Sequence, residues 1–292
     1  MKKQKQKNPR GGETYPHILI RRFRRHKLAV VGSWLFAAIL LAALLAPLIA
    51  PYDPNAIVGK FSSPPTRQFL LGTDQIGREV FSRLLYALRV SLLVGFASTA
   101  IAVAIGIVLG LVSGYFGGWV DMLIMRVTDM VMSFPYIMLV LVAAAIIGPG
   151  LTNIILILGF VNWPSVARLV RGNVLSLKES EFVQNSVVQG MPTRFLLFSE
   201  ILPNTIAPVL VYATSSIAVA MLDEAALSFL GLGVQPPTAS LGNMLNGAQS
   251  LTILTSKPWL WVPPGVLIVL LVLIVSFIGD ALRDASDPHD AR

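Results

Sequence analysis

Residues 178–204, KESEFVQNSVVQGMPTRFLLFSEILPN, form a polar, charged segment between long apolar runs, and their reading decides the architecture. Glu181 to Gln189 are expected to form one short helix, with Ser180 as its N-cap and Gly190 as its stop. Met191-Pro192-Thr193 restarts the chain; Pro192 suits a first helical turn, and Pro203 is expected to close a second apolar helix. An amphipathic knuckle of this kind, set between two membrane spans, suits docking to a soluble partner at one membrane face.

The surroundings are those of a membrane protein. The chain of 292 residues is 54% hydrophobic and 13% charged, with a mean hydropathy of +0.71, whereas a soluble domain carries roughly 25% charged residues. The deficit lies in long runs without a single charge, among them 90–120, 130–167, 201–222, 225–256 and 258–279. Each is long enough for a spanning helix, which needs about 20 apolar residues. The net charge of +8 does not indicate nucleic-acid binding. Ten of the 23 basic residues fall in the first 27 positions, against one acid, Glu13. A basic tail directly before an apolar run is the positive-inside signature of a cytoplasmic N-terminus, and the aromatic interleaving that base stacking needs is nearly absent. There is no cysteine, so disulfide and thiolate chemistry are excluded.

Six spans are expected: Leu28 to Ala50, Val90 to Gly114, Arg126 to Ile147, Leu151 to Val170, Asn204 to Ala226 and Trp259 to Ile278. The first is read as uncleaved, because Pro51 is badly placed after a cleavage point. Gly148-Pro149-Gly150 forces the turn between the third and fourth. The fold class is therefore all-α, a polytopic helical bundle. Its parts are a basic cytoplasmic tail (1–27), a first span with an extracytoplasmic segment (28–89), a core (90–283) containing the cytoplasmic loop 171–203, and a cytoplasmic tail (284–292). Lys60, Arg67, Arg78, Arg83 and Arg89 lie on the outer side in this topology, against the charge rule, but the ten tail charges outweigh them.

Small residues at Ser98, Ala102, Gly106, Gly110 and Gly114 recur every four positions and form one smooth ridge on the second span. Such ridges let helix backbones approach closely where lipid supplies no hydrophobic drive. The ridge fits packing inside the bundle, or an interface that moves or joins subunits. Asp121 to Ile147 would make about 40 Å of helix at 1.5 Å per residue, with Arg126 and Asp129 spaced to pair. Asp223 and Glu224 fall about 28 Å along the fifth span, near its outer end, which favours a helix cap or a gate contact over a proton relay. Asp74 or Thr73 is expected to cap an outer helix bearing Arg78, Arg83 and Arg89. Arg78, Asp223 and Glu224 are thus candidates for an outer gate or mouth.

The knuckle resembles the "EAA" loop of ABC-importer permeases, specifically those of the oligopeptide/dipeptide/nickel family. Gly190 matches the loop's glycine and Leu202-Pro203-Asn204 its closing motif, while Asn185 and Ser186 stand where the family has alanines. Three further stretches resemble family motifs in the same order: LLGTDQIGREVFSRLLYALRVSL (70–92), DEAALSFLGLGVQPP (223–237) and GDALRDASDP (279–288). In ASLGNML (239–245), Leu241 replaces a usual tryptophan. The resemblance implies a type I ABC importer permease fold in a bacterial-type inner membrane. It implies a pathway shared with a second homologous permease, two ATP-binding subunits carrying ATP and Mg, and an extracytoplasmic substrate-binding protein delivering peptides. Glu181, Phe182, Gln184, Gly190, Arg194, Leu202 and Pro203 would then couple this chain to the ATPases.

The absences agree with a chain that carries no chemistry of its own. No G-x-x-x-x-G-K-[ST] cradle for phosphates occurs, so no cofactor is expected here. The histidines, His17, His26 and His289, all lie in the tails, and no metal site is expected. No G-x-S-x-G elbow is present. The competing readings are an ion-driven secondary transporter or channel, which usually shows inverted repeats and ionisable groups at midplane, and an assembly subunit with no pathway.

Overall fold

The computed structural model describes Phe23 and residues 26–286; most of the basic N-terminal tail, residues 287–292, His17 and His289 lie outside the described residues. Among the described residues the regular elements are helical. The principal ones are α1 (Lys27–Leu44), α2 (Val80–Phe116), α3 (Gly118–Met132), α4 (Tyr136–Ile147), α5 (Leu151–Lys178), α6 (Glu181–Val188), α7 (Leu202–Phe229) and α8 (Val262–Ser286). Five stretches are long and apolar enough to cross a membrane: α1, α2, α5, the run Thr193–Phe229 that contains α7, and most of α8. A sixth span results if α3 and α4 are taken together, although they are bent by 86° at their junction.

That bend corrects the expectation of one continuous third span. Ser133-Phe134-Pro135 interrupts it, and Pro135 becomes the N-cap of α4. Proline has no N–H for the preceding turn and drives the residue before it out of the helical region. At 12 residues, α4 is about 18 Å long and cannot cross a 30 Å hydrocarbon core alone. Gly148 (φ +91°) and Gly150 (φ +150°) then reverse the chain into α5. Several other helices outrun their expected ends: α2 begins at Val80 and α5 continues to Lys178. The buried face of α2 accounts for its extra turns, since Leu84, Leu85, Ala87 and Leu88 are all packed inward.

The helix that Asp74 or Thr73 was expected to cap is α2, and its actual cap is Glu79. The Glu79 carboxylate accepts from Phe81 N at 3.0 Å and Ser82 N at 2.6 Å. Asp74 is engaged in its own turn, where Oδ1 accepts from Ile76 N and Arg78 N at 3.0 and 2.9 Å. Thr73 Oγ1 donates to Lys60 O at 2.5 Å. The loop ahead of α2 thus folds on itself, leaving the residue next to the helix extended and free to cap it.

The two helices with the most extensive contact are α2 and α5. They run parallel, and the ridge on α2 is what brings them together. A Cβ added at Gly106 would lie 2.4 Å from Val166 Cβ, one at Gly110 2.6 Å from both Ala167 O and Val170 Cβ, and one at Gly114 2.8 Å from Val174 Cβ. Gly159 returns the arrangement from α5, with Ile101 2.7 Å from its virtual Cβ. The ridge is therefore buried inside this chain, and Val166, Val170 and Val174 fill the groove it leaves. Around this seam the core is layered along its length. Ile154, Ile157 and Leu158 of α5 meet Val140 and Ala144 of α4 in one half. Val170 and Val174 meet Val183 and Ile201 near α6 in the other. A third cluster joins α1, α2, α7 and α8 through Ala43, Leu88, Met221 and Leu271.

Gly110→Ala should lower the thermal midpoint of the purified protein. Overpacking against a backbone oxygen costs about 1–3 kcal/mol, more than the roughly 1 kcal/mol that alanine gains in helix propensity. Gly172 on α5 has nothing within 4 Å of a virtual Cβ, so Gly172→Ala should leave the midpoint unchanged or raise it. Equal behaviour of the two variants would mean that the seam is not tight.

Candidate functional site

The knuckle is a protrusion at one end of the bundle. After α5 ends at Lys178, Ser180 Oγ donates to Leu177 O at 2.5 Å and does not cap α6, although Ser180 occupies the N-cap position. In α6 only Val183 is buried. It packs into the same cluster as Val174 and Ile201, so one side chain pins the helix to the bundle core. Glu181, Phe182, Gln184, Val187 and Val188 face outward, and Val188 is 86% exposed. Gln184 Nε2 donates to Lys178 O at 2.7 Å, closing the α5–α6 turn. Gly190 follows in the left-handed region (φ +74°) with nothing near a virtual Cβ, as a helix C-terminal glycine requires.

Beyond Gly190, Pro192 precedes the short helix Thr193–Phe195, and Leu196–Ile201 is wound as a π-helix before α7 begins. Pro203 does not close a helix, contrary to the sequence expectation; the chain runs helically from Thr193 to Phe229 through it. Its ring would strike the carbonyl of Ser199, four residues back, and it offers that carbonyl no N–H. A widened turn ahead of it relieves both problems, and π turns of this kind cluster at functional sites. Arg194 and Pro203 are exposed and Leu202 is half-buried. The two limbs of the knuckle are joined by a hydrogen bond from Ser186 Oγ to the Glu200 carboxylate. Ser186, one of the two residues departing from the usual alanines, therefore has a partner within the knuckle.

Next to the knuckle, charges tie α3 to α5. Arg171 donates two hydrogen bonds to Asp121, both at 2.6 Å, and Ser113 Oγ of α2 donates a third at 2.5 Å. Arg168 pairs with Asp129 at 2.8 Å. The expected Arg126–Asp129 pair does not form, because Asp129 is turned toward α5. Lys178 Nζ donates to Tyr115 O at 2.8 Å and lies 5.5 Å from the Tyr115 ring centre, joining the ends of α2 and α5.

Asp223 and Glu224 lie at the other end of α7, and neither caps that helix, which continues to Phe229. Glu224 is wholly buried and accepts from Ser91 Oγ and Ser228 Oγ, both at 2.7 Å. It brackets α2 to α7 and, through Ser91, approaches Leu241 N, so it does not line a mouth in this structure. Asp223 accepts from Tyr136 Oη at 2.5 Å at the start of α4, and Asn162 Nδ2 donates to the same hydroxyl at 3.2 Å. Arg78 gives its Nε to Asp74 at 2.7 Å, beside Gln75 and Gly247 in a cleft between the segment ahead of α2 and the segment that follows α7. The pairs Arg168–Asp129, Arg171–Asp121, Tyr136–Asp223 and Ser91–Glu224 join residues 39 to 133 positions apart in sequence, beyond the reach of any local spacing. Among the described residues no group of three or more His, Asp or Glu could hold a metal ion.

Residues 106–289 match the family model of the binding-protein-dependent transport system inner membrane component. Residues 15–69 match the N-terminal transmembrane domain of oligopeptide transport permease C. A peptide permease protein of Brucella suis is 44% identical over 269 residues, covering 92% of this chain and 89% of its own length. The dipeptide transport system permease protein DppC of Alkalihalophilus pseudofirmus is 41% identical over 274 residues (92% and 88%). The glutathione transport system permease protein GsiD of an Escherichia coli strain is 39% identical over 274 residues (93% and 90%). A crystal structure of an amino acid ABC transporter with histidines superposes with a TM-score of 0.53 at 15% identity, covering 68% of this chain and 92% of that one. The likeness is one of fold: an all-α membrane bundle of the type I permease kind.

Asp121→Asn and Arg171→Gln should each lower the thermal midpoint, and the double variant should lose less than the sum. A double-mutant cycle is expected to give a coupling of about 1–2 kcal/mol, the range for contacting charged hydrogen-bonded pairs. A coupling near zero would show that the pair does not hold α3 to α5.

Proposed function

The chain belongs to the family of binding-protein-dependent transport system inner membrane components, and from that premise we propose that it forms half of an ATP-driven import path for peptides. It is a multi-pass inner-membrane transport subunit, not an enzyme; the family works with separate ATP-binding and substrate-binding proteins and with a second permease. In the arrangement we propose, a second, homologous permease completes the path and two ATP-binding subunits hold ATP and Mg. An extracytoplasmic binding protein delivers di- or oligopeptides. Peptide cargo is favoured by relatives named for peptide, dipeptide and glutathione transport. The termini and α6 lie on the cytoplasmic side, in keeping with the ten basic residues of the first 27.

The observation that carries this reading is the construction of the knuckle. Phe182, Val187, Val188 and Met191 are exposed on a segment outside the apolar spans, where they would contact a soluble protein and not lipid. The same segment is fastened inward by Val183 and by the Ser186–Glu200 bond. A displacement of α6 therefore passes to α5 and α7, the helices on either side of it. Nucleotide can bias the path only if the ATP-bound partners favour one conformation of the permease over the other. Movement of α6 with its flanking helices as a rigid body supplies that difference.

Gly190→Pro and Glu181→Arg should insert into the membrane normally. Gly190 sits at φ +74°, which proline cannot adopt, and Glu181→Arg reverses a charge on the exposed face. Peptide uptake and substrate-stimulated ATP hydrolysis by the assembled transporter should both fall by at least about tenfold, equivalent to about 1.4 kcal/mol of lost coupling. Normal uptake in these variants would rule out α6 as the coupling element.

A further inference from the structure

A cavity of about 160 Å³ lies between α2, α5 and α7, lined by Ser98, Thr99, Asn162, Tyr212, Ser215 and Ser216 among others. Thr99 stands near the middle of α2, 19 residues from its start and 17 from its end, so the cavity is at membrane depth. Its lining contains hydroxyl and amide groups but no charged side chain. Ser215 and Val219 of α7 are exposed and mark its opening.

One atom in this lining is anomalous. Thr99 is 6% exposed, and its Oγ1 is buried without a hydrogen-bond partner among the described residues. Its neighbours behave as hydroxyls in spanning helices usually do, donating to their own helix one turn back. Ser98 Oγ donates to Val94 O at 2.7 Å, Thr205 Oγ1 to Leu202 O at 2.8 Å, Thr214 Oγ1 to Val211 O at 2.8 Å and Ser216 Oγ to Tyr212 O at 2.9 Å. An unmatched buried hydroxyl is costly, and where proteins retain one a functional explanation is called for. The cavity has room for about five water molecules at roughly 30 Å³ each. That volume suits a group the size of one amino-acid residue and not a whole oligopeptide.

We propose that this cavity is a subsite of the transport path that takes an uncharged, hydrogen-bonding group of the cargo, such as one peptide unit or a small neutral side chain. Thr99 Oγ1 is closed off from the cavity as the side chain stands; a turn about its Cα–Cβ bond to the other helical rotamer of threonine would bring it to the lining, and among the described residues no group uses it. The absence of charge lets the group enter and leave without either side surrendering an ion pair. Ser215 and Val219, exposed at the opening on α7, would then face the path between the two permeases. This assignment rests on the reading of the chain as half of a peptide importer, and it deepens that reading by naming part of the path.

The test uses the complete transporter, with its partner permease, ATP-binding subunits and binding protein, in lipid vesicles supplied with dialanine. Because the chain has no cysteine of its own, Ser215→Cys introduces a single thiol whose labelling can be read on this subunit by mass spectrometry. A small water-soluble thiol reagent is expected to label it, and dialanine with the loaded binding protein is expected to protect it. Thr99→Val keeps the shape of the side chain and removes the hydroxyl. It should raise the KM for dialanine about three- to tenfold, the loss expected for one hydrogen bond, without lowering the thermal midpoint. Labelling without protection would show a hydrated cavity that takes no cargo and would overturn the subsite. No labelling, an unchanged KM, or a fall in the midpoint with an unchanged KM would overturn it equally. If the unaltered complex shows no ATP-dependent uptake of dialanine or of longer alanine peptides, the peptide-importer reading itself fails, and that outcome is separate from the behaviour of Thr99 and Ser215.

Discussion

The close approach of α2 and α5 is the constraint on which the rest of the bundle depends. Lipid tails are as apolar as leucine, so burying leucines between helices gains little in a membrane, and contact distance decides how strongly two helices associate. Gly106, Gly110 and Gly114 remove the side chains that would hold the backbones apart, and Val166, Val170 and Val174 occupy the space so made. Valine suits the role because its branched side chain has one strongly preferred rotamer in a helix and is held at little further entropic cost. With three matched contacts at a four-residue spacing, the register of the two helices is set, and every interaction beyond the seam inherits that register.

The polar contacts show the consequence. Arg171 and Lys178 lie on α5 just past Val170 and Val174, and the seam delivers them to Asp121 and to the carbonyl of Tyr115. Farther along α2, Ser91 meets Glu224 of α7. Charged and polar groups within spanning segments are costly unless paired, and Asp121, Asp223 and Glu224 each find their partners on another helix. The result is a unit of α2, α5 and α7 cross-braced at several levels. A unit braced in this way moves as a body, which suits a subunit whose energy arrives from a partner at the knuckle.

The sequence disclosed elements wherever a local signal set them. The charge-free runs located the spans, the four-residue recurrence of small residues located the seam on α2, and Gly190 located the end of α6. It misleads where two local signals compete. At Pro135 the apolar run continues across a proline, and the missing N–H and the ring outweigh hydrophobicity and break the span. At Pro203 the same chemistry has the opposite outcome, and the helix is not broken. A proline in the first turn of a helix is tolerated, and the preceding π turn lets the chain continue through it. Asp74 is a good N-cap residue by type, but its turn engages it first, and Glu79 caps in its place.

By itself, then, the sequence determined that the chain is an all-helical membrane bundle with a polar knuckle between its fourth and fifth spans. Hydropathy, helical period, proline and glycine act over a few residues and need no partner. Only the tertiary structure decided that the α2 ridge is spent against α5, that Asp129 turns from Arg126 to Arg168, and that Ser186 engages Glu200. It alone decided that Glu224 is a buried bracket and that the Thr99 hydroxyl has no mate among the described residues, beside a cavity. Each of these turns on which residues meet across the bundle. The helix axes, set by backbone contact at the seam, choose those meetings, and no local spacing along the chain encodes them.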